Sequence, residues 1–173
     1  TKAVTGGAIY ILRDPRDVAI SFSRHLGLSL DRTIAFMNDP EAATGGTDTA
    51  VYVRLATWSA HVHFWTCRPH PTLHVMRYED MRTDPTAVFG GLVRFLGQEP
   101  PAERLARAIA HSDFDELRRQ EEAAGGFVEQ PQKAGDAFFR VGQSGQWRGT
   151  LTHAQTARIE RDHGTVMQRF GYL

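Results

Sequence analysis

The sequence has few of the features that mark disulfide-bonded, cysteine-metal or membrane-spanning proteins. Its 173 residues include a single cysteine, Cys67, which excludes an internal disulfide and a multi-cysteine metal site and fits a reducing compartment. No apolar run approaches the roughly 20 residues that cross a bilayer, and no signal peptide is visible. We therefore expect a cytoplasmic protein without a membrane span.

An excess of charge of either sign is also absent. The 20 Lys and Arg residues balance the 20 Asp and Glu residues, so the formal net charge is zero. A broad nucleic-acid-binding surface needs an excess of basic residues, and the composition therefore argues against a nucleic-acid partner. Any anion-binding site in this protein must be local.

The length and composition are those of one globular domain. A chain of 173 residues buries enough surface to hold a single core without disulfides or metals. Hydrophobic residues make up 41% of the sequence and charged residues 23%, which is ordinary for a globular protein. We predict a single domain over residues 1–173.

Two apolar segments are each followed by a helix-start signal. Ala8–Leu12 reads AIYIL, a continuous apolar run typical of a parallel strand that is covered on both faces, and Leu73–Arg77 is a second predicted strand. Asp14–Pro15 and Asp84–Pro85 each combine an N-cap residue with a proline suited to the first helical position. Such strand-to-helix units predict an α/β layered domain with a central parallel sheet. Ligands in these sheets bind at the carboxyl ends of the strands.

The periodicity of apolar residues predicts further helices. In the helix after Pro15 we expect Val18, Phe22 and Leu26 to form the buried stripe. The other predicted helices run from a cap at Asp31 through Met37, from Val51 to about Arg68, over Ala102–Ala110, over Phe114–Glu122, and from a cap at Thr152 to near Phe170.

Arg13 stands where the first strand ends and the first helix is about to begin. The free N–H groups and the dipole of a helix N-terminus favour an anion there, and Ser21 lies two turns into the helix. An arginine fork with a hydroxyl suits a phosphate group. Alternatively, Arg13 pairs with Asp14 or Asp17 as a structural ion pair. The segment taken alone leaves both interpretations open.

Four segments decide between them. They read ILRDPRDVAISFSRH (residues 11–25), WSAHVHFW (58–65), MRYEDM (76–81) and FFRVGQSGQWRG (138–149). In this order they resemble segments of the sulfotransferases that use 3′-phosphoadenosine 5′-phosphosulfate (PAPS). The first resembles that family's 3′-phosphate motif, in which a serine follows the arginine by eight places, as Ser21 follows Arg13. The last resembles the family's F-x-R-K-G-x-x-G-D-W-K segment.

The resemblance implies cofactor-binding roles for individual residues. Arg13 and Ser21 would hold the 3′-phosphate. Arg140 with the backbone of Gly142 would close over it from the fourth segment, residues 138–149, which we call the late segment. Val141 stands where the family has a lysine, so one cation near the phosphate is missing. The residues that would contact or line the adenine are Tyr78, Ser112 and Phe114.

The resemblance also implies the fold and the reaction. The fold would be P-loop-NTPase-like, an α/β layered domain, with this sequence as its C-terminal portion. The reaction would move a sulfuryl group from PAPS to a hydroxyl or amine acceptor without a metal and leave adenosine 3′,5′-bisphosphate. The family's phosphosulfate loop and catalytic histidine precede the 3′-phosphate motif, and neither occurs in this sequence. We therefore assign no catalytic residue here.

A homodimer through the family's usual motif is not expected. That motif is K-x-x-x-T-V-x-x-x-E, and its four specified positions align with Arg148, Thr152, His153 and Ala157 in this chain. Ala157 stands where the family has the acidic residue. Any homodimer would use another surface.

Two other functions remain open at this point. One is a nucleotide-binding module that kept the phosphate clamp and lost the chemistry. The other is a nucleoside-kinase-like relative with the same layered fold, although no G-x-x-x-x-G-K-[ST] loop for a nucleoside triphosphate occurs in the sequence. A kinase needs magnesium and a nucleoside triphosphate, and a sulfotransferase needs neither.

Overall fold

A computed structural model describes residues 6–46, 48, 51–126 and 142–173, which fall into two compact units. The first unit contains residues 6–13, 70–126 and 142–144, and the second contains residues 14–46, 48, 51–69 and 145–173. The single-domain prediction stays a prediction, because one domain can contain more than one compact unit.

The described residues form strands and short helices. In chain order these are β1 (Ala8–Leu12), α1 (Pro15–His25), α2 (Leu30–Met37), β2 (Ala43–Thr44), β3 (Val53–Arg54), α3 (Trp58–Thr66), β4 (Leu73–Arg77), α4 (Tyr78–Thr83), α5 (Pro85–Phe95), α6 (Ala102–His111), α7 (Phe114–Ala124), α8 (Trp147–Thr150) and α9 (His153–Arg169). Within this part of the chain, no helix is both long enough and apolar enough to cross a membrane.

The first unit is built on a parallel pair of strands. β1 pairs with β4 in a register that runs from Ala8 opposite Leu73 to Leu12 opposite Arg77. The predicted α/β architecture with parallel strands is therefore confirmed. Because the two strands end level with each other, the residues that follow them emerge at the same edge of the pair.

The burial of β1 differs from the expectation. Leu12 is buried, but the side chains of Ile9 and Ile11 are 45% and 53% exposed. Alternate residues of a strand point to opposite faces, and among the described residues the face that carries these two isoleucines is incompletely covered. An apolar run predicts which faces are apolar, but not which elements pack on them.

The helices of the first unit follow the sequence signals closely. The Asp84 side chain accepts a hydrogen bond from the N–H of Ala87 at 3.0 Å, and Pro85 opens α5 as predicted. The ring of Phe95 in α5 stacks on His74 of β4 with 5.2 Å between centroids, which seats the helix on the strand. α6 and α7 occupy the predicted segments and extend one and two residues further.

The second unit begins with α1, whose start is as predicted and whose buried face is not. Asp14 caps the helix by accepting from the N–H of Arg16 at 2.9 Å. The most buried side chains further along the helix are Ala19, Ile20 and Ser23, whereas the expected stripe of Val18, Phe22 and Leu26 is only half-buried. The hydroxyl of Ser23 donates to the carbonyl of Ile20 at 2.9 Å, so a polar residue lies on the inner face without an unmet hydrogen bond.

Two other helix starts in this unit also correct the sequence analysis. α2 is capped by Ser29, which accepts from the N–H of Arg32, and Asp31 lies within the first turn. α3 begins at Trp58 after a cap at Thr57, and not at Val51. The residues before Thr57 include β3, which pairs antiparallel with β2. The helical spacing of the apolar residues before Thr57 is therefore a coincidence, because this part of the chain contains a strand.

The last helix, α9, is confirmed. Thr152 accepts from the N–H of Gln155 at 3.2 Å, and the Gln155 side chain accepts from the N–H of Thr152 at 3.0 Å, which completes a capping box. Ile159 and Met167 lie on the buried face of this helix.

Candidate functional site

Arg13 and Tyr78 meet at the carboxyl end of the parallel strands in the first unit. They directly follow Leu12 and Arg77, the last residue pair of the β1–β4 register. The guanidinium carbon of Arg13 lies 4.2 Å from the centroid of the Tyr78 ring, which is close enough for a cation–π interaction. The stack orients the guanidinium plane of Arg13 at the strand edge.

Both side chains hold the late segment that the sequence analysis assigned to the cofactor. The Tyr78 hydroxyl donates to the carbonyl of Gly142 at 3.1 Å. Nη2 of Arg13 donates to the carbonyl of Gln143 at 3.0 Å. Residues predicted from the first, third and fourth segments are thus in direct contact.

Phe114 lies against the same backbone. Gly142 has a φ of +59°, and a Cβ placed there would lie 2.3 Å from Cδ2 of the Phe114 ring. The ring therefore occupies the space that any other residue at position 142 would need. The structure joins four predicted site positions in one cluster: Arg13, Tyr78, Phe114 and Gly142.

A second cation beside this cluster was missed by the sequence analysis. The guanidinium carbon of Arg82, on α4, lies 5.8 Å from the centroid of the Phe114 ring. Arg82 also lies 4.0 Å from a carboxylate oxygen of Asp113. The available signal was its spacing, since residue 82 is one helical turn beyond Tyr78 on the same helix.

The remaining predicted residues are less closely tied to the cluster. Ser112 is the C-cap of α6, and its N–H donates to the carbonyls of Ala108 and Ile109, both at 3.1 Å. Ser21 belongs to the second unit and is exposed on α1. Their roles stay predictions. Arg140 and Val141 lie outside the described residues.

The first turn of α1 carries a buried ion-pair network in the second unit. Arg16 forms a close ion pair with Asp14 at 2.7 Å, and it pairs with Glu160 of α9 at the same distance. Its Nη2 also donates to the carbonyl of Tyr172 at 2.5 Å. Burial alone would lower the pKa of Arg16, but the hydrogen bonds and charges of Asp14 and Glu160 outweigh it, so the pKa is raised. This arginine therefore stays charged and structural.

Asp17, in the same turn, was also not singled out as a binding residue by the sequence analysis. Its carboxylate accepts from the backbone N–H of Gly145 at 2.6 Å and of Trp147 at 3.1 Å. No local signal identifies these contacts, because the partners are more than 120 residues away along the chain.

A metal site was not expected, and the structure offers no candidate in the part of the chain that it describes. Over residues 6–46, 48, 51–126 and 142–173, no group of three or more His, Cys, Asp or Glu side chains is arranged to hold a metal ion.

Comparison with known proteins identifies the family. A family model described as "Sulfotransferase domain" matches residues 8–171, nearly the whole chain. The chain therefore belongs to the sulfotransferase family, as the resemblance of its four segments implied.

Curated relatives agree with this membership. The chain is 27% identical to Sulfotransferase 1A1 of Canis lupus familiaris over 169 residues, which cover 94% of this chain and 55% of the relative. It is 25% identical to Sulfotransferase 2A6 of Mus musculus over 158 residues, which cover 88% and 53%. The chain thus spans about half the length of the curated relatives that it matches.

Solved structures share the fold. Mouse sulfotransferase SULT7A1 complexed with PAP matches with a TM-score of 0.70 and 20% identity over 94% of this chain and 58% of that one. Retinol dehydratase in complex with androsterone and the inactive cofactor PAP matches with a TM-score of 0.70 and 23% identity, over 93% and 47%. The P-loop-NTPase-like fold of the sulfotransferases is therefore the fold of this chain.

Proposed function

We propose that this chain is the adenosine 3′-phosphate-binding part of a PAPS-dependent sulfotransferase. The observation that carries the proposal is the contact of Arg13 and Tyr78 with the carbonyls of Gln143 and Gly142 at the carboxyl end of β1 and β4. Solved relatives named as complexes with PAP, which is adenosine 3′,5′-bisphosphate, support the choice of nucleotide.

Arg13 is the proposed phosphate ligand within the first unit. Its guanidinium is planar and permanently charged, and a phosphate accepts two parallel hydrogen bonds from such a fork. The Tyr78 ring orients the guanidinium plane before a ligand arrives, so less side-chain freedom is lost on binding. Each charged hydrogen bond of this kind contributes roughly 1.5–3 kcal/mol.

The aromatic residues of the cluster are the proposed adenine contacts. The faces of Tyr78 and Phe114 are the kind of surface on which a base stacks. Gly142 brings the backbone of the late segment directly against Phe114, so the position of the ring and the position of the segment depend on each other. Ser21, Ser112, Arg140 and Val141 belong to the proposal on the strength of the family resemblance alone.

The proposed reaction is a sulfuryl transfer. The bond between sulfur and the bridging oxygen of PAPS breaks, a bond from sulfur to the acceptor oxygen or nitrogen forms, and the acceptor proton passes to a base. The products are adenosine 3′,5′-bisphosphate and the sulfated acceptor. In this proposal the chain's own residues bind and orient the nucleotide, and none of them is assigned as the base.

Acceptor, assembly and location complete the proposal. The acceptor is a small molecule, glycan or lipid with a hydroxyl or amine group. A homodimer would form away from the segment at Arg148–Ala157, which lacks the acidic residue of the usual motif. The lone Cys67, which is exposed, supports a reducing, cytoplasmic location.

The nucleoside-kinase alternative is not favoured, because the sulfotransferase match extends over residues 8–171. This range includes the late segment with its glycines and tryptophan, which a kinase does not explain. An inactive nucleotide-binding module would bind the same nucleotide as the proposed sulfotransferase but would not catalyse the transfer. Transfer from PAPS to a test acceptor by the protein that contains this chain separates the two.

Isothermal titration calorimetry of the 173-residue chain tests the binding proposal. The ligands are adenosine 3′,5′-bisphosphate and adenosine 5′-monophosphate at the same salt concentration. We expect at least tenfold tighter binding of the bisphosphate, because only this ligand carries the 3′-phosphate for Arg13. Equal affinities, or binding of neither nucleotide, would contradict the proposal that residues 1–173 contain the 3′-phosphate site.

A further inference from the structure

The carboxylate of Asp17 holds the backbone of a segment far away in the sequence. Asp17 lies in the first turn of α1 and is 2% exposed. Its two oxygens accept from the N–H groups of Gly145 and Trp147, at 2.6 Å and 3.1 Å. A buried carboxylate is stable only when hydrogen bonds compensate its charge, and these two N–H groups are part of that compensation.

The preceding residue holds the side chain of the same tryptophan. The guanidinium carbon of Arg16 lies 3.9 Å from the centroid of the Trp147 ring. Arg16 is itself fixed by its ion pairs with Asp14 and Glu160. Two consecutive residues of α1 therefore fix both the backbone and the ring of Trp147.

The backbone of Gly145 is shaped for this contact. Its φ is +81°, a conformation that glycine adopts readily and that other residues rarely adopt. A Cβ at this position would lie 2.6 Å from Nη1 of Arg148. The Arg148 side chain can move away from such a Cβ, so the positive φ is what favours glycine at this position.

Within the chain, Ser144 alone separates Gly145 from Gln143. The carbonyls of Gly142 and Gln143 are held by Tyr78 and Arg13 in the first unit. Because only Ser144 lies between them in the sequence, a restraint on the backbone of Gly145 also reduces the conformations open to Gln143. Releasing Gly145 restores those conformations.

We infer that Asp17 is a positioning residue for nucleotide binding, which acts by fixing Gly145 and Trp147 and so restricting Gly142 and Gln143. The inference rests on the proposed function. Asp17 does not itself bind the ligand, because a carboxylate repels a phosphate. Asp17 acts through the conformation of the late segment. It therefore affects the binding of a ligand that contacts Arg13 and this segment.

The test compares Asp17→Asn with the unaltered 173-residue chain and with Asp31→Asn. Asp31 is the matched control, since it lies in the first turn of α2, is exposed, and its carboxylate accepts from the side chain of Gln155 at 2.9 Å, away from the late segment. The readouts are hydrogen exchange of the Gly145 and Trp147 amides and calorimetric affinities for adenosine 3′,5′-bisphosphate and adenosine 5′-monophosphate.

We expect Asp17→Asn to speed exchange of both amides at least tenfold and to weaken bisphosphate binding at least tenfold. Monophosphate binding should change less than threefold, and Asp31→Asn should change neither readout. A folded Asp17→Asn chain that keeps the original preference for the bisphosphate would show that Asp17 is structural only. A lack of preference in the unaltered chain would instead defeat the proposed function.

A second measurement covers the case in which Asp17→Asn does not fold. In the unaltered chain, saturating bisphosphate should slow exchange of the Gly145 and Trp147 amides beyond its rate in saturating monophosphate. Exchange rates that are equal with the two nucleotides, in a chain that prefers the bisphosphate, overturn the inference.

Discussion

The guanidinium of Arg13 lies over the ring of Tyr78, and the two side chains donate to neighbouring carbonyls of one backbone segment. Arg13 donates to Gln143 and Tyr78 to Gly142. This relationship follows from the register of β1 and β4, which places Leu12 opposite Arg77 and so brings the two following residues to one edge. An arginine at the end of a strand is thereby both oriented and tied to the late segment.

Replacing Arg13 should discriminate between nucleotides. Loss of one charged hydrogen bond, at roughly 1.5–3 kcal/mol, predicts that Arg13→Ala weakens adenosine 3′,5′-bisphosphate binding by about 10- to 150-fold. Binding of adenosine 5′-monophosphate should change less than about threefold, because it lacks the group that Arg13 holds. Calorimetry of both ligands measures the difference.

The control for this variant is Arg104→Ala, which removes an exposed arginine from α6 in the same unit. It should leave both affinities unchanged. Equal losses for the two nucleotides in Arg13→Ala would identify Arg13 as a structural residue.

Removing the hydroxyl of Tyr78 should have a smaller effect. Tyr78→Phe keeps the ring beneath Arg13 and leaves the Gly142 carbonyl without this donor. A neutral hydrogen bond contributes about 0.5–1.5 kcal/mol, which predicts roughly 2- to 12-fold weaker bisphosphate binding. The exposed Tyr52 provides the control, since Tyr52→Phe should bind like the unaltered chain. A Tyr78→Phe variant with unchanged affinity would mean that the bond to Gly142 does not support the site.

Adding a methyl group at Gly142 tests the contact with Phe114. Gly142→Ala combines a positive φ with a Cβ 2.3 Å from the ring, so the ring or the segment must move. Gly97→Ala is a close control, because Gly97 has a φ of +68° and no atom within 4 Å of its Cβ position. Both variants carry the backbone strain, and only one carries the clash.

We expect Gly142→Ala to lower the free energy of unfolding by about 1–3 kcal/mol more than Gly97→Ala, and to weaken bisphosphate binding as well. Urea unfolding and calorimetry measure the two effects. Equal destabilisation by the two variants would show that Phe114 does not pack against Gly142 in solution.

The parts of the fold that were predictable depend on neighbouring residues. Asp14–Pro15 and Asp84–Pro85 start helices because capping is decided within one turn. The paired strands were recognisable as apolar runs, and their parallel pairing follows from the helices between them. Arg13 was singled out by its position between a strand and a helix N-terminus, and the family's motifs then decided its role. Tyr78 and Gly142 were found only through the spacing and order of those motifs.

The features that were missed depend on distant partners. The inner face of α1 carries Ser23, whose hydroxyl is satisfied locally, so hydrophobicity could not identify it. Asp17 reads as an ordinary acidic residue in a first helical turn until its contacts with Gly145 and Trp147 are known. Local pattern predicts where helices begin, but not which surfaces of them meet.

His163 links α9 to α3 in the second unit. It is 2% exposed, its Nδ1 lies 2.9 Å from Oγ of Ser59, and Trp58 packs edge-on against its ring at 5.5 Å. Burial lowers the pKa of His163, and the carboxylate of Asp162 opposes part of this shift. The imidazole is therefore held in its neutral form in the folded protein.

The sign of the resulting pH dependence follows from proton binding. An unfolded histidine titrates near pH 6.5, so as the pH falls below that value the unfolded state binds a proton before the folded state does. Stability contributed by neutral His163 is present above pH 6.5 and is lost as the pH falls toward its lowered pKa. His163→Gln, which cannot be protonated in this range, should lose less stability between pH 7.5 and 5.5 than the unaltered chain.

Urea unfolding at several pH values measures this difference, with His153→Gln as the control because His153 is exposed at the start of the same helix. Burial also lowers the pKa of His61, and that residue is present in all three chains, so its contribution cancels in the comparison. The unaltered chain and His153→Gln should then show the same steeper loss of stability in acid. Parallel curves for all three chains would mean that folding does not lower the pKa of His163.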